Sequence, residues 1–206
     1  MRRVEAALGG DAGVMGLAGS LTPASMARVY DAMRLTSDSV LLDAGAGIGR
    51  PLVQAAATYR LPVALGYEFD PIKVQKSVPF IERCLRALAP DALTAPAGTD
   101  ASSHVIVLER DLSTMHPRNP AITHVFSFWE GLTTEARQGV ARICCVLPTL
   151  ECVAVVQRSM RLAKHADPVE AMRRHGFPRA LKFAASFPVT SVGSGRQYTA
   201  YVYNNV

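Results

Sequence analysis

The stretch Val40-Leu41-Leu42-Asp43-Ala44-Gly45-Ala46-Gly47-Ile48-Gly49-Arg50-Pro51 constrains this chain more than any other. Three consecutive large apolar residues leave no polar face, which suits a central parallel strand covered on both sides. Asp43 closes that strand. The three alternate glycines supply a turn that tolerates positive φ and lets backbone approach a ligand. Pro51 then predicts a helix over 51–60, because a proline at the first helical position gives up no intrahelical hydrogen bond.

Dinucleotide-binding chains carry G-x-G-x-x-G in this turn and an acid about 20 residues later on the ribose. Here the aspartate comes first and the glycines follow as G-x-G-x-G. The run Pro62-Val63-Ala64-Leu65-Gly66-Tyr67-Glu68 reads as a second apolar strand, closing in Glu68. His104 to Glu109 reads as a third, followed by Arg110-Asp111-Leu112. Ligands of open α/β sheets lie beyond the carboxyl ends of the strands, so three successive strand ends present an acid to one crevice. This order resembles that of S-adenosylmethionine methyltransferases, and Glu68 is then placed to take both ribose hydroxyls of a nucleoside.

Strands that alternate with helices predict parallel βαβ units. Thr22-Pro23 supplies an N-cap and a first-turn proline, and Met26, Val29, Tyr30 and Met33 recur at helical spacing. Further elements are expected as a strand over 39–43, a helix over 71–88, a strand over 123–129, a helix over 133–145, a strand over 150–157 and a short helix over 168–175. Segments 180–189 and 197–203 flank Ser191-Val192-Gly193-Ser194-Gly195, whose composition predicts a hairpin turn. Residues 89–103, rich in Ala, Pro, Thr, Ser and Gly, are expected to form a loop within one domain. The fold class expected is α/β: a Rossmann-like class I methyltransferase sheet, mostly parallel, with a C-terminal antiparallel hairpin. Residues 1–20 read as an N-terminal arm that folds over something or stays loose, and 21–206 as the methyltransferase domain.

At 206 residues and 49% hydrophobic, the chain suffices for one substantial core. The longest apolar candidate, Val140 to Val156, is broken by Arg142, Pro148 and Glu151, so no membrane span is expected. Met1-Arg2-Arg3-Val4-Glu5 lacks the apolar segment of a secretory leader. Cys84, Cys144, Cys145 and Cys152 lack zinc-site spacing and read as small buried hydrophobes in a reducing compartment, with no metal expected. Charge is uneven. Residues 151–206 hold eight Lys and Arg against three Asp and Glu, while 1–150 balances, so the net +5 resides in the last quarter. That bias points to an acidic partner, or to a solvated helix face.

From Gly19 to Tyr203 the chain resembles the Dot-type (disruptor of telomeric silencing) histone lysine methyltransferases. Their Y-G-E-L-x-P motif is similar to Ala18-Gly19-Ser20-Leu21-Thr22-Pro23, and their D-L-G-S-G-V-G-Q to Asp43 through Arg50. Their G-V-E matches Gly66-Tyr67-Glu68, and their E-R-G-D-F is similar to Glu109-Arg110-Asp111-Leu112. The final strand resembles Ser194-Gly195-Arg196-Gln197-Tyr198-Thr199-Ala200-Tyr201. Departures fall on the reaction side: Ala18 and Ser20 replace a tyrosine and a glutamate, and Arg50 replaces a glutamine. Ser127-Phe128-Trp129 replaces asparagines, and the family's channel tyrosine falls nearest Ala200, beside Tyr198 and Tyr201.

The resemblance implies S-adenosylmethionine as cofactor, without a metal. It implies cofactor contacts by Leu21, Thr22, Asp43, Gly45, Ala46, Gly47, Glu68, Phe69, Asp111, Leu112 and Ser127. Phe69 is expected to stack on adenine, Leu112 to close the opposite face and Asp111 to accept from the adenine amino group. Phe69 and Leu112 compete for this with roles as core side chains. Phe128, Trp129 and Tyr198 are the candidates for the reaction end. Aromatic walls attract the cation that forms on an attacking nitrogen, and desolvation favours the neutral amine beforehand; for Trp129 the competing role is cover for the core edge. The implied substrate is a lysine of a nucleosomal histone, with a nuclear location, otherwise cytoplasmic. A small-molecule or RNA methyltransferase and a non-catalytic adenosylmethionine-binding subunit are the alternatives.

Overall fold

The computed structural model describes residues 1–10, 12–13, 16–17, 20–88, 104–115, 121–159, 168–192 and 194–206. The chain opens with α1 (Arg2–Ala7) and a short antiparallel pair, β1 (Ala12–Gly13) and β2 (Gly16–Leu17), followed by α2 (Pro23–Met33). Then come β3 (Val40–Ala44), α3 (Arg50–Tyr59), β4 (Val63–Glu68), α4 (Pro71–Leu88), β5 (His104–Glu109) and β6 (His124–Phe128). A single 3-10 turn, Trp129–Gly131, leads to α5 (Thr134–Val146), β7 (Cys152–Gln157), α6 (Pro168–Arg174), β8 (Leu181–Thr190) and β9 (Gln197–Asn205). The seven-stranded sheet has the order β5-β4-β3-β6-β7-β9-β8. Its first five strands are parallel, and β9 and β8 add the antiparallel hairpin that the glycine-serine turn predicts.

Side chains alternate across a strand, so each strand of a doubly covered sheet contributes to two cores. Leu41, Ala64, Phe126, Ala154, Val156, Ala200 and Val202 face α2, α3 and α4 in one core. Leu42, Leu65, Val125, Val153, Val155, Tyr201 and Tyr203 face α5 and α6 in the other. This two-sided burial is why the strands read as continuous apolar runs.

Local signals set the helix ends. Thr22 caps α2, its hydroxyl oxygen accepting from the Ser25 N–H at 3.2 Å. Asp70 caps α4 by accepting from the Ile72 and Lys73 N–H groups at 3.0 and 3.3 Å. α3 begins at Arg50, one residue before Pro51, with Gly49 as its N-cap at φ 87°. In the N-terminal arm residues 2–7 are helical, and Val4 and Leu8 pack against the first core. Ala18, Gly19, Gly193, the basic Arg161 and Lys164, and the loop 89–103 lie outside the described residues.

Candidate active site

From β3 the chain proceeds outward through β4 and β5, then returns to place β6 on the other flank of β3. The switch point therefore lies between β3 and β6 at their carboxyl ends, where open α/β sheets bind ligands. A pocket opens there. Asp43, Gly45 to Ile48, Arg50 and Pro51 line one side, and Phe126 and Phe128 the other, with Ser20, Leu21 and Met26 also in its wall.

The glycine turn is fastened to the neighbouring strand. Gly45, Gly47 and Gly49 sit at φ 97°, 56° and 87°, a region closed to most side chains. The Gly45 and Ala46 N–H groups both donate to the Tyr67 carbonyl, at 2.9 and 3.0 Å. The Gly47 N–H donates to Glu68 Oε2 at 2.7 Å, and the Asp70 N–H to Glu68 Oε1 at 2.9 Å. Glu68 is thus held by two backbone donors while each oxygen keeps a lone pair for a further donor. Asp43 is 1% exposed and its Oδ2 has no hydrogen-bond partner. Burial, reinforced by the Glu68 charge, pushes its carboxyl up to about 8, so its charged form is disfavoured near neutral pH.

Phe69, next to Glu68, is 57% exposed and presents a free ring face. Asp111 Oδ1 accepts from the Ser113 N–H at 2.8 Å and the Ser113 hydroxyl at 2.6 Å, an arrangement that fixes the turn after β5. Leu112 is buried in the second core, in the competing role of a core side chain. Leu21 lines the pocket and bridges to Ser191. Thr22 is spent on its helix cap. Ser127 is fully buried, and its hydroxyl donates to the Ala44 carbonyl at 2.8 Å, which pins β6 to the end of β3. Thr22 and Ser127 do not line the pocket.

Of the three aromatic candidates, the structure brings two together. Phe128 and Tyr198 meet edge to face with ring centroids 5.0 Å apart, on the pocket side of the sheet. Trp129 is corrected from channel wall to core: it is 1% exposed in the second core, with His175 at 5.0 Å and Phe177 at 5.8 Å. β6 ends at Phe128, and Trp129 opens the 3-10 turn that follows, with its side chain in the core on the other side of the sheet. The sequence reading missed Arg50, Pro51, Met26, Ile48, Phe126 and Ser20 as pocket residues. Arg50 carried a signal, being the residue directly after the glycine turn. Among the described residues no group of three or more His, Cys, Asp or Glu side chains is placed to hold a metal ion.

A family model described as histone methylation protein DOT1 matches residues 12–76, from β1 into α4. No curated protein matches the chain. In structure it is similar to TrmN from Thermus thermophilus, with TM-score 0.59 and 16% identity over 91% of this chain and 50% of that one. It thus spans half the length of that protein. It is also similar to an RNA methyltransferase from Salinibacter ruber, solved with S-adenosyl-L-homocysteine (TM-score 0.55, 17% identity, 90% of this chain, 93% of that one). A third likeness is to geranyl diphosphate C-methyltransferase from Streptomyces coelicolor A3(2) (TM-score 0.56, 14% identity, 89% of this chain, 77% of that one). The fold is the Rossmann-like fold of class I methyltransferases.

Proposed function

We propose that this chain is an S-adenosylmethionine-dependent methyltransferase whose acceptor is a protein lysine, first of all a histone lysine in a nucleosome. The observation that carries the cofactor assignment is the buried Asp43 carboxyl with one unpartnered oxygen, directly under a glycine turn that Glu68 fastens at the switch point. That donor set fits the cofactor: Glu68 takes ribose hydroxyls, Asp111 the adenine amino group, Phe69 an adenine face, and Asp43 the positively charged amino-acid end. When bound, the cofactor supplies an already activated methyl group. The chain's own work is positioning and exclusion of water. An amine entering beside the Phe128 and Tyr198 rings loses hydration, which disfavours its charged form and frees the lone pair. The same rings then attract the cation formed on nitrogen.

The lysine acceptor is supported by the DOT1 model over residues 12–76. Ser127-Phe128-Trp129-Glu130 is also unlike the Asp/Asn-Pro-Pro-Tyr of enzymes that methylate nucleobase amines or glutamine. RNA or a small molecule is the second reading, favoured by the substrates in the names of similar structures, while the altered first motif at Ala18 and Ser20 favours a non-catalytic adenosylmethionine-binding subunit. A chromatin substrate implies a nuclear address. No helix of the described residues is long and apolar enough to cross a membrane.

Tritiated methyl transfer assayed in parallel on nucleosomes, free histones and total RNA tests the proposal. Label on histone lysine is expected. Label on RNA alone moves the assignment to the second reading, and cofactor binding without transfer to any acceptor moves it to a non-catalytic subunit.

A further inference from the structure

The pocket's lining contains two charged-type side chains, Asp43 and Arg50. They complement a zwitterionic amino-acid end: one carboxyl for the ammonium, one guanidinium for the carboxylate. Arg50, however, is already engaged. Its Nη1 lies 3.2 Å from Glu5 Oε1 and 3.1 Å from Glu5 Oε2, with the side chains 12% and 16% exposed. Glu5 belongs to α1, which packs on α4. The arm then runs on along α4, where Lys76 Nζ donates to the Ala12 and Gly10 carbonyls at 2.8 and 3.3 Å. It ends against the turn that orients Glu68: a Cβ added at Gly13 would lie 2.2 Å from Asp70 Oδ2, and the Asp70 N–H is one of the two donors holding Glu68. One short segment thus touches the pocket's arginine and also Asp70, the residue whose N–H holds Glu68.

We infer that Glu5 stands in for the cofactor's carboxylate, so that α1 is a latch which cofactor binding releases. The inference rests on the reading of the pocket as an adenosylmethionine site. Stripping a partner from a half-buried arginine is costly, but exchanging one carboxylate for another keeps it paired. The two arrangements are therefore close in free energy, as a switch requires. The coupling is reciprocal: whatever draws α1 away frees Arg50 and tightens the cofactor, and the cofactor in turn makes α1 available to a partner.

Calorimetry with two ligands separates the latch from the pocket. S-adenosylhomocysteine carries the amino-acid end, while 5′-methylthioadenosine is the same nucleoside thioether without it. Glu5→Gln removes the competing carboxylate and is expected to tighten S-adenosylhomocysteine by about five- to tenfold while leaving methylthioadenosine unchanged. Arg50→Gln is expected to weaken only the former. Hydrogen exchange of residues 2–7 should quicken with S-adenosylhomocysteine and not with methylthioadenosine. Circular dichroism checks folding, and Glu5→Asp, which keeps the charge but shortens the reach, gives a second variant with the same expected direction. Unchanged or weaker S-adenosylhomocysteine binding in both Glu5 variants, or greater protection of residues 2–7, overturns the latch while the cofactor site stands. No heat with either ligand, in wild type or variants, overturns both.

Discussion

Asp43 is the residue whose charge couples the pocket to pH. Its carboxyl is raised from the ordinary 3.8 to about 8, first by burial and then by Glu68. Folding therefore gains from this group in full below about pH 4, and the gain is lost as pH rises to about 8, because the unfolded chain ionises first. A cationic ligand beside Asp43 favours the carboxylate, so binding below pH 8 must release a proton. The stabilisation given by S-adenosylmethionine is expected to grow from pH 6 to 8 and level off above, and Asp43→Asn is expected to flatten the profile. Thermal melting with and without ligand measures it; a flat wild-type profile argues against the assignment. Trp129 makes the opposite kind of claim. As a core side chain whose indole N–H has no partner, it should tolerate Trp129→Phe better than Trp129→Ala. The alanine variant is expected to lose about 3–5 kcal/mol by creating a cavity. Cofactor affinity of the folded phenylalanine variant should stay at the wild-type level, as melting curves and calorimetry together report.

At the scale of elements, Glu68 does two jobs that one substitution does not separate. Glu68→Ala orphans the Gly47 and Asp70 N–H groups. It should cost about 1–3 kcal/mol of stability through those unmet donors, besides weakening the cofactor at least tenfold. Glu68→Gln keeps one acceptor oxygen and sets a donor against the other N–H, so it is expected to lose less stability than the alanine variant and still bind weakly; denaturant unfolding run beside calorimetry distinguishes the pair. The strands, the glycine turn and most helix ends were legible because each rests on a local signal: apolar runs, the Thr22-Pro23 cap, alternate glycines. The trajectory of the arm was not legible. α1 has six residues, and what holds it is tertiary: Val4 and Leu8 on the first core, and Glu5 on Arg50. The places of Trp129 and Leu112 were not legible, because each follows a strand end, where the alternation of side chains no longer applies.

Over the whole molecule, the described basic residues of the last quarter fall at both ends of the sheet, with Arg196 in the hairpin turn beside Ser191 at the pocket end. Lys182 pairs with Asn204, which pairs with Cys152 at the start of β7, so this end of the hairpin lies at the amino ends of the parallel strands. Arg173, Arg174 and Arg179 occupy the connection leading into it, all exposed. Arg158, near the pocket end, pairs with Glu130 at 3.0 Å, and Arg174 pairs with Glu170 at 3.5 Å. A long acidic partner engaging both the pocket and this basic end would span the sheet, so its affinity and its chemistry should respond to different residues. Arg173→Ala with Arg174→Ala is expected to weaken nucleosome or RNA binding and to lower the salt slope by about one unit per lost phosphate contact. Cofactor affinity and the turnover of a short peptide acceptor should stay unchanged, because neither reaches that end. Titrations across a salt series, with calorimetry on the same variants, measure both. A salt slope left intact in the double variant would mean that these arginines form a solvated face and that the acceptor docks at the pocket end alone.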